Sequence, residues 1–108
     1  MTLENNTDKA YKYLVDLGNS SQEIYETLKA KGIKGERGRT VTCPLAIALH
    51  KDLNLNVQVG ADDITIYNGP IGPLSGCSIM SLPWEAQVFV YNFDDGQYDD
   101  LVGDPYGA

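Results

Sequence analysis

Asn56-Val57-Gln58-Val59-Gly60-Ala61-Asp62-Asp63-Ile64-Thr65-Ile66-Tyr67 decides the fold class of this chain. Asn56–Val59 and Ile64–Tyr67 alternate polar and apolar residues, the period that sends successive side chains to opposite faces of a strand. Gly60-Ala61-Asp62-Asp63 between them has the composition of a turn, so the stretch predicts a β-hairpin. Upstream the period is helical. Ala10, Tyr11, Leu14, Val15 and Leu17 fall near 3/4 spacing after Thr7, and Gly18 can stop that helix in the left-handed conformation. Ser20 and Glu23 fit a capping box, each side chain satisfying an orphan amide at a helix start. Ile24, Tyr25 and Leu28 form the apolar stripe of this second helix, which should end at Gly32. Cys43-Pro44 opens a third, because proline at the first helical position loses no hydrogen bond. Its body, Leu45-Ala46-Ile47-Ala48-Leu49, is apolar almost all round and should be the most buried, ending near Leu53-Asn54.

Downstream of the hairpin, Asn68 to Gly76 holds three glycines and two prolines and reads as a turn-rich connection. Cys77 to Leu82 can supply a third strand, and Pro83 opens a final helix stopped by Gly96. The expected order is three N-terminal helices, a small antiparallel sheet of two or three strands, and a C-terminal helix. That is α+β, with helices on one face of the sheet, and it argues against βαβ units. At 108 residues the chain has room for one domain, 1–108, with 1–6 and 103–108 expected to be mobile and the acidic 97–108 partly so.

Charge is distributed unevenly. Residues 1–51 carry all eight Lys and Arg against six Asp and Glu, whereas residues 52–108 carry nine acids and no base, which together give the net charge of −7. The charged fraction of 21% is ordinary and excludes a disordered acidic tail as the whole identity of the chain. No apolar run approaches the ~18–20 residues of a membrane span, and Met1-Thr2-Leu3-Glu4-Asn5-Asn6 lacks a signal-peptide layout. A cytoplasmic protein without a membrane partner is the expectation. Cys43 and Cys77 are too few for a disulfide-dense secreted scaffold, and free thiols are expected.

Lys29, Lys31, Lys34, Arg37 and Arg39, interleaved with Gly32, Gly35 and Gly38, form one candidate site. Glycines let backbone amides turn toward an anion and the cations supply long-range attraction, so phosphate, nucleic acid or an acidic protein face could answer. The loop is not a P-loop, which needs Lys-Ser/Thr after its last glycine. The competing reading is a solvated loop whose charges offset the acidic half. Three helices and a hairpin also match the element order of a winged helix, but a body of Leu45-Ala46-Ile47-Ala48-Leu49 offers little to base edges, and Asp62-Asp63 at the hairpin tip would repel phosphates.

Asp94, Asp95, Asp99 and Asp100, with Tyr98 among them, form the second candidate: an acidic face for a basic partner. They lack the twelve-residue order and closing Glu of an EF-hand, and two distant cysteines with one histidine do not make a zinc site, so no metal and no cofactor is expected. Cys43 at a helix start favours a thiolate, but His50 lies seven residues on, ~10 Å along a helix axis, too far for a direct pair. Trp84, Val88 and Tyr91 at 4/3 spacing, with Phe89 and Phe93 four apart, read as core aromatics; a partner surface is the alternative.

Gly32-Ile33-Lys34-Gly35, Cys43-Pro44-Leu45-Ala46, Val57-Gln58-Val59-Gly60, Leu82-Pro83 and Phe93-Asp94-Asp95-Gly96-Gln97-Tyr98 together resemble segments of small uncharacterised proteins of actinobacteria and their phages. The likeness spans roughly residues 20–102. It implies no activity, cofactor or catalytic residue, but it does imply a phage or mobile-element origin. The leading expectation is a small non-enzymatic acidic binding protein acting through protein–protein contacts at Asp94, Asp95, Tyr98, Asp99 and Asp100. The alternative is nucleic-acid or nucleotide binding through residues 29–39, and a Cys43-dependent enzyme ranks below both.

Overall fold

Helix boundaries follow local chemistry closely. The computed structural model describes residues 6–73 and 76–105. Helix α1 runs Asn6–Leu17, α2 Ser21–Ala30, α3 Pro44–Leu53 and α4 Trp84–Asp94. At the start of α2 the Ser20 hydroxyl accepts from the Glu23 amide at 3.1 Å. Glu23 reaches back one residue further than a capping box requires, its Oε1 accepting from Asn19 N at 2.8 Å. The helix closes as a Schellman motif, with Ile33 N donating to Leu28 O, Gly32 N to Lys29 O, and Gly32 left-handed. Gly18 plays a different part from the one its sequence suggests. It is not left-handed; a Cβ there would lie 2.6 Å from Glu23 Cβ, so glycine is required by the close turn into α2.

The hairpin forms as its alternation predicts. Strand β1 is Asn56–Val59, β2 Asp63–Tyr67 and β3 Cys77–Ser81, in the antiparallel order β1-β2-β3. Val57, Val59, Ile64 and Ile66 are buried on the inner face, while Asn56, Gln58, Thr65 and Tyr67 lie half-buried on the other. Helix α3 packs on β1 and its residues Pro44 to Leu49 are all buried, which withdraws it from any groove-reading role. Phe89 and Phe93 of α4, Ile24 and Leu28 of α2, and Leu14 of α1 complete one core, and burial of each such side chain contributes ~1.5–3 kcal/mol. No charged or polar side chain among the described residues is buried.

The C-terminal stretch departs from expectation. Residues 97–103 pack against the domain: a 3-10 turn, η1 (Asp99–Leu101), follows α4, and Leu101 is fully buried. Val102 bridges in parallel to Gly35, whose N donates to Leu101 O at 2.9 Å and whose O accepts from Gly103 N at 3.1 Å. Gly35 must be glycine, because a Cβ would lie 2.6 Å from Pro44 N and 2.7 Å from Thr42 O. Of the termini expected to be mobile, Asn6 belongs to α1 and Gly103 to this strap; residues 1–5 and 106–108 lie outside the described residues. No helix among the described residues is long and apolar enough to cross a membrane.

Candidate functional site

The basic loop and the acidic strap meet. Arg37 Nε donates to Phe93 O at 2.6 Å, and its NH2 donates to Gln97 O at 2.7 Å and to Asp99 Oδ1 at 2.8 Å. Its guanidinium also lies over the Phe93 ring, 5.1 Å from the centroid. Gly38 N donates to Asp94 Oδ1 at 3.0 Å. Lys29 pairs with Asp100 at 2.9 Å, Lys34 Nζ donates to Asp100 O, and Lys31 pairs with Asp52 at 3.1 Å. Arg39 is exposed and makes no ion pair among the described residues. Four of the five cations read as an anion site thus already hold oxygens of this chain, three of them on the strap. The two candidate patches neutralise one another instead of projecting separate fields.

Tyr98 does not stand out as an aromatic anchor. Left-handed at φ 61°, it stacks on Tyr25 at 4.6 Å and Phe89 at 5.4 Å between ring centroids, and its hydroxyl shares a 2.6 Å hydrogen bond with Ser21 Oγ. Asn92 Nδ2 donates to the same Oγ at 3.2 Å. Next to it the Tyr25 hydroxyl donates to Asp100 Oδ2 at 2.6 Å. That bond, followed by the Lys29 ammonium, holds the Asp100 carboxyl below its usual range, and it raises the Tyr25 phenol. A second pair repeats the device across the molecule: Tyr13 OH donates to Asp52 Oδ2 at 2.5 Å, which lowers the carboxyl. The Tyr13 phenol rises, through burial first and the Asp52 bond second. These contacts tie α1 to α3 and α2 to the strap, and they are structural.

Cys43 and Cys77 are both free, the first buried and the second exposed at the start of β3. Burial pushes the Cys43 thiol up to about 11, outweighing the pull of the Ala46 and Leu45 amides. A thiol held protonated in the core is a poor nucleophile. His50 lies at the exposed end of α3 with Nδ1 3.2 Å from Leu55 O, so it serves the helix terminus.

The largest exposed aromatic side chains among the described residues lie on the outer face of α4. Ala86, Phe89, Val90 and Phe93 are the buried stripe, whereas Trp84 and Tyr91 are each 70% exposed. This corrects the reading of the Trp84-Val88-Tyr91 stripe as core. The helix is aromatic on both sides, and 4/3 spacing holds for both stripes, so periodicity alone could not say which turned inward. Trp84, Val88 and Tyr91, with Gln87, Asp94 and Asp95, line a groove of about 530 Å³ that Ala61 of the β1–β2 turn closes on one side. No Lys or Arg among the described residues lines it. A large aromatic pair over an apolar floor with carboxylates at one end is the composition of a contact surface.

Among the described residues no cluster of His, Cys, Asp and Glu is arranged to hold a metal ion. No protein-family model, curated protein or solved structure matches the chain.

Proposed function

We propose that the chain is a non-enzymatic binding protein whose contact surface is the outer face of α4, and whose partner is a protein segment carrying an apolar side chain flanked by Lys or Arg. One observation carries this reading: Trp84 and Tyr91 are both 70% exposed on a single groove whose only charges among the described residues are Asp94 and Asp95. Exposed aromatics of this size contribute strongly to binding when a partner covers them, and the carboxylates select the sign of that partner's rim. Asp94 and Asp95 keep the place they have in an acidic contact face. Tyr98, Asp99 and Asp100 serve the strap, and Trp84 and Tyr91 replace Tyr98 as anchors. Nucleic-acid or nucleotide binding through Lys29, Lys31, Lys34, Arg37 and Arg39 is the weaker reading, because four of these side chains already hold oxygens of the chain itself. A cytoplasmic setting and a phage or mobile-element origin belong to the same proposal, the latter on the likeness over residues 20–102.

A photo-crosslinking side chain at position 91, compared with one at position 58 on the outer sheet face, tests the surface in lysate at low salt. The expected product forms from position 91 only, and its crosslinked peptide holds an apolar residue beside Lys or Arg. Trp84→Ala should weaken capture by ~2 kcal/mol or more, the scale of a central aromatic, while leaving the fold intact. Crosslinks arising only from position 58, or only to nucleic acid, would sink the proposal.

A further inference from the structure

Three aromatic rings of this chain carry a cation that a neighbouring carboxylate holds in place. Arg37 lies over Phe93, 5.1 Å from the ring centroid, and its NH2 donates to Asp99 Oδ1. Lys29 lies 5.7 Å from the Tyr25 centroid and pairs with Asp100. Lys31 lies 6.0 Å from the Tyr13 centroid and pairs with Asp52. In each trio the ring face attracts the cation and the carboxylate fixes its position.

The outer face of α4 repeats two of the three parts. Tyr91 is followed three and four residues on by Asp94 and Asp95, the spacing that makes side chains neighbours on a helix surface. All three line one groove with Trp84, which lies about two turns before Tyr91. Among the described residues no Lys or Arg lies over the Tyr91 or Trp84 ring, and none pairs with Asp94 or Asp95. The last turn of α4 holds no basic residue either, although the carbonyl end of a helix favours positive charge. Asp94 is already oriented, because its Oδ1 accepts from Gly38 N. Ring, carboxylates and helix terminus thus favour the same sign of charge at one place.

We infer that an arginine side chain of the partner supplies the third part, its guanidinium lying against the Tyr91 ring and donating to Asp95. This rests on the reading of α4 as the contact surface and names the residue that the surface selects. Arginine suits the place better than lysine. A guanidinium is flat, weakly hydrated and fork-shaped, so it covers a ring face while donating to adjacent carboxylates, whereas an ammonium is a compact, strongly hydrated point charge. Arg37 does the same within the chain, reaching three oxygens while it lies over Phe93. The apolar neighbour of the partner's arginine then covers Trp84.

Amide chemical-shift titrations of the intact chain with three blocked tripeptides test this: leucine–alanine–arginine, and its counterparts ending in lysine and in citrulline. The arginine peptide should shift the amides of Tyr91, Asp94 and Asp95 at millimolar concentration and bind more tightly than the lysine peptide. Citrulline has the same shape without the charge, and its peptide should bind roughly fivefold or more weakly. Tyr91→Leu, at an exposed position, should weaken the arginine peptide roughly two- to fivefold, and Asp95→Asn should weaken it similarly. Equal binding of the citrulline or lysine peptide overturns the arginine assignment and leaves α4 standing as the contact surface. Absence of shifts at these residues, or shifts indifferent to both variants, overturns it as well. Failure of the crosslink at position 91 is the separate result that overturns the surface itself.

Discussion

The strap and the outer face of α4 lie on either side of Asp94, and they show opposite uses of side chains that looked functional. In the strap, charged residues find partners within the chain: Arg37 holds Phe93 O, Gln97 O and Asp99, while Asp100 takes both Lys29 and the Tyr25 hydroxyl. On α4, Trp84 and Tyr91 stand in solvent and no ring-stacking contact covers either among the described residues. Charge density in a sequence therefore marks a place where the chain closes on itself as readily as one where it meets something else. Exposed aromatic surface is the stronger sign of a partner, because leaving it in water has no structural return.

The sharpest way to break the contrast is to loosen the strap. Leu101 is fully buried at its end, and Leu101→Ala should destabilise the domain by ~2–5 kcal/mol, the range for truncating a buried leucine. Chemical denaturation would measure it. A cost below 1 kcal/mol, on the order of a surface change, would mean that residues 97–103 do not pack as described.

Arg37→Ala should cost less, ~1–3 kcal/mol, because it removes a donor from each of the carbonyls of Phe93 and Gln97. Were Arg37 instead held free for an anion, the same variant would leave stability unchanged and alter only ligand binding.

A smaller effect is expected from pH. The Asp100 and Asp52 carboxyls are held below their usual range, by the hydroxyls of Tyr25 and Tyr13 first and by Lys29 and Lys31 second. Their stabilisation is complete above the unfolded carboxyl value of ~3.9 and is lost as pH falls below it. The Tyr25 and Tyr13 phenols are raised, so their contribution is complete below ~10 and is lost as pH rises past that value. Cys43, raised to about 11 by burial, begins the alkaline loss earlier, from its unfolded value of ~8.5. Thermal unfolding between these limits should be nearly flat. Tyr25→Phe should shrink the acid limb, and Trp84→Ala should not touch it.

Much of the fold was legible because its signals are local. The alternation over 56–67, the Ser20 cap, Pro44 at a helix start and Gly32 after Leu28 each specify backbone within a few residues, and all appear where their chemistry requires. Contacts across the chain were not legible. Arg37 and Asp99 are 62 positions apart, and nothing local to either announces the other. One signal was available: Leu101, an apolar residue inside an acidic stretch, is buried and anchors the strap. The groove was hidden for a different reason. Helix α4 carries apolar side chains on both faces, so its spacing fits either orientation, and only the packing of Phe89 and Phe93 against the core decides it.

Trp84 is the chain's only tryptophan, which makes the central claim directly measurable. Acrylamide quenching of its fluorescence should be strong in the chain alone, near that of an exposed indole, and should fall sharply once the basic protein crosslinked through position 91 is added in stoichiometric amount. Quenching that stays strong in that complex, or that is already weak in the chain alone, would contradict the account and place the contact surface elsewhere.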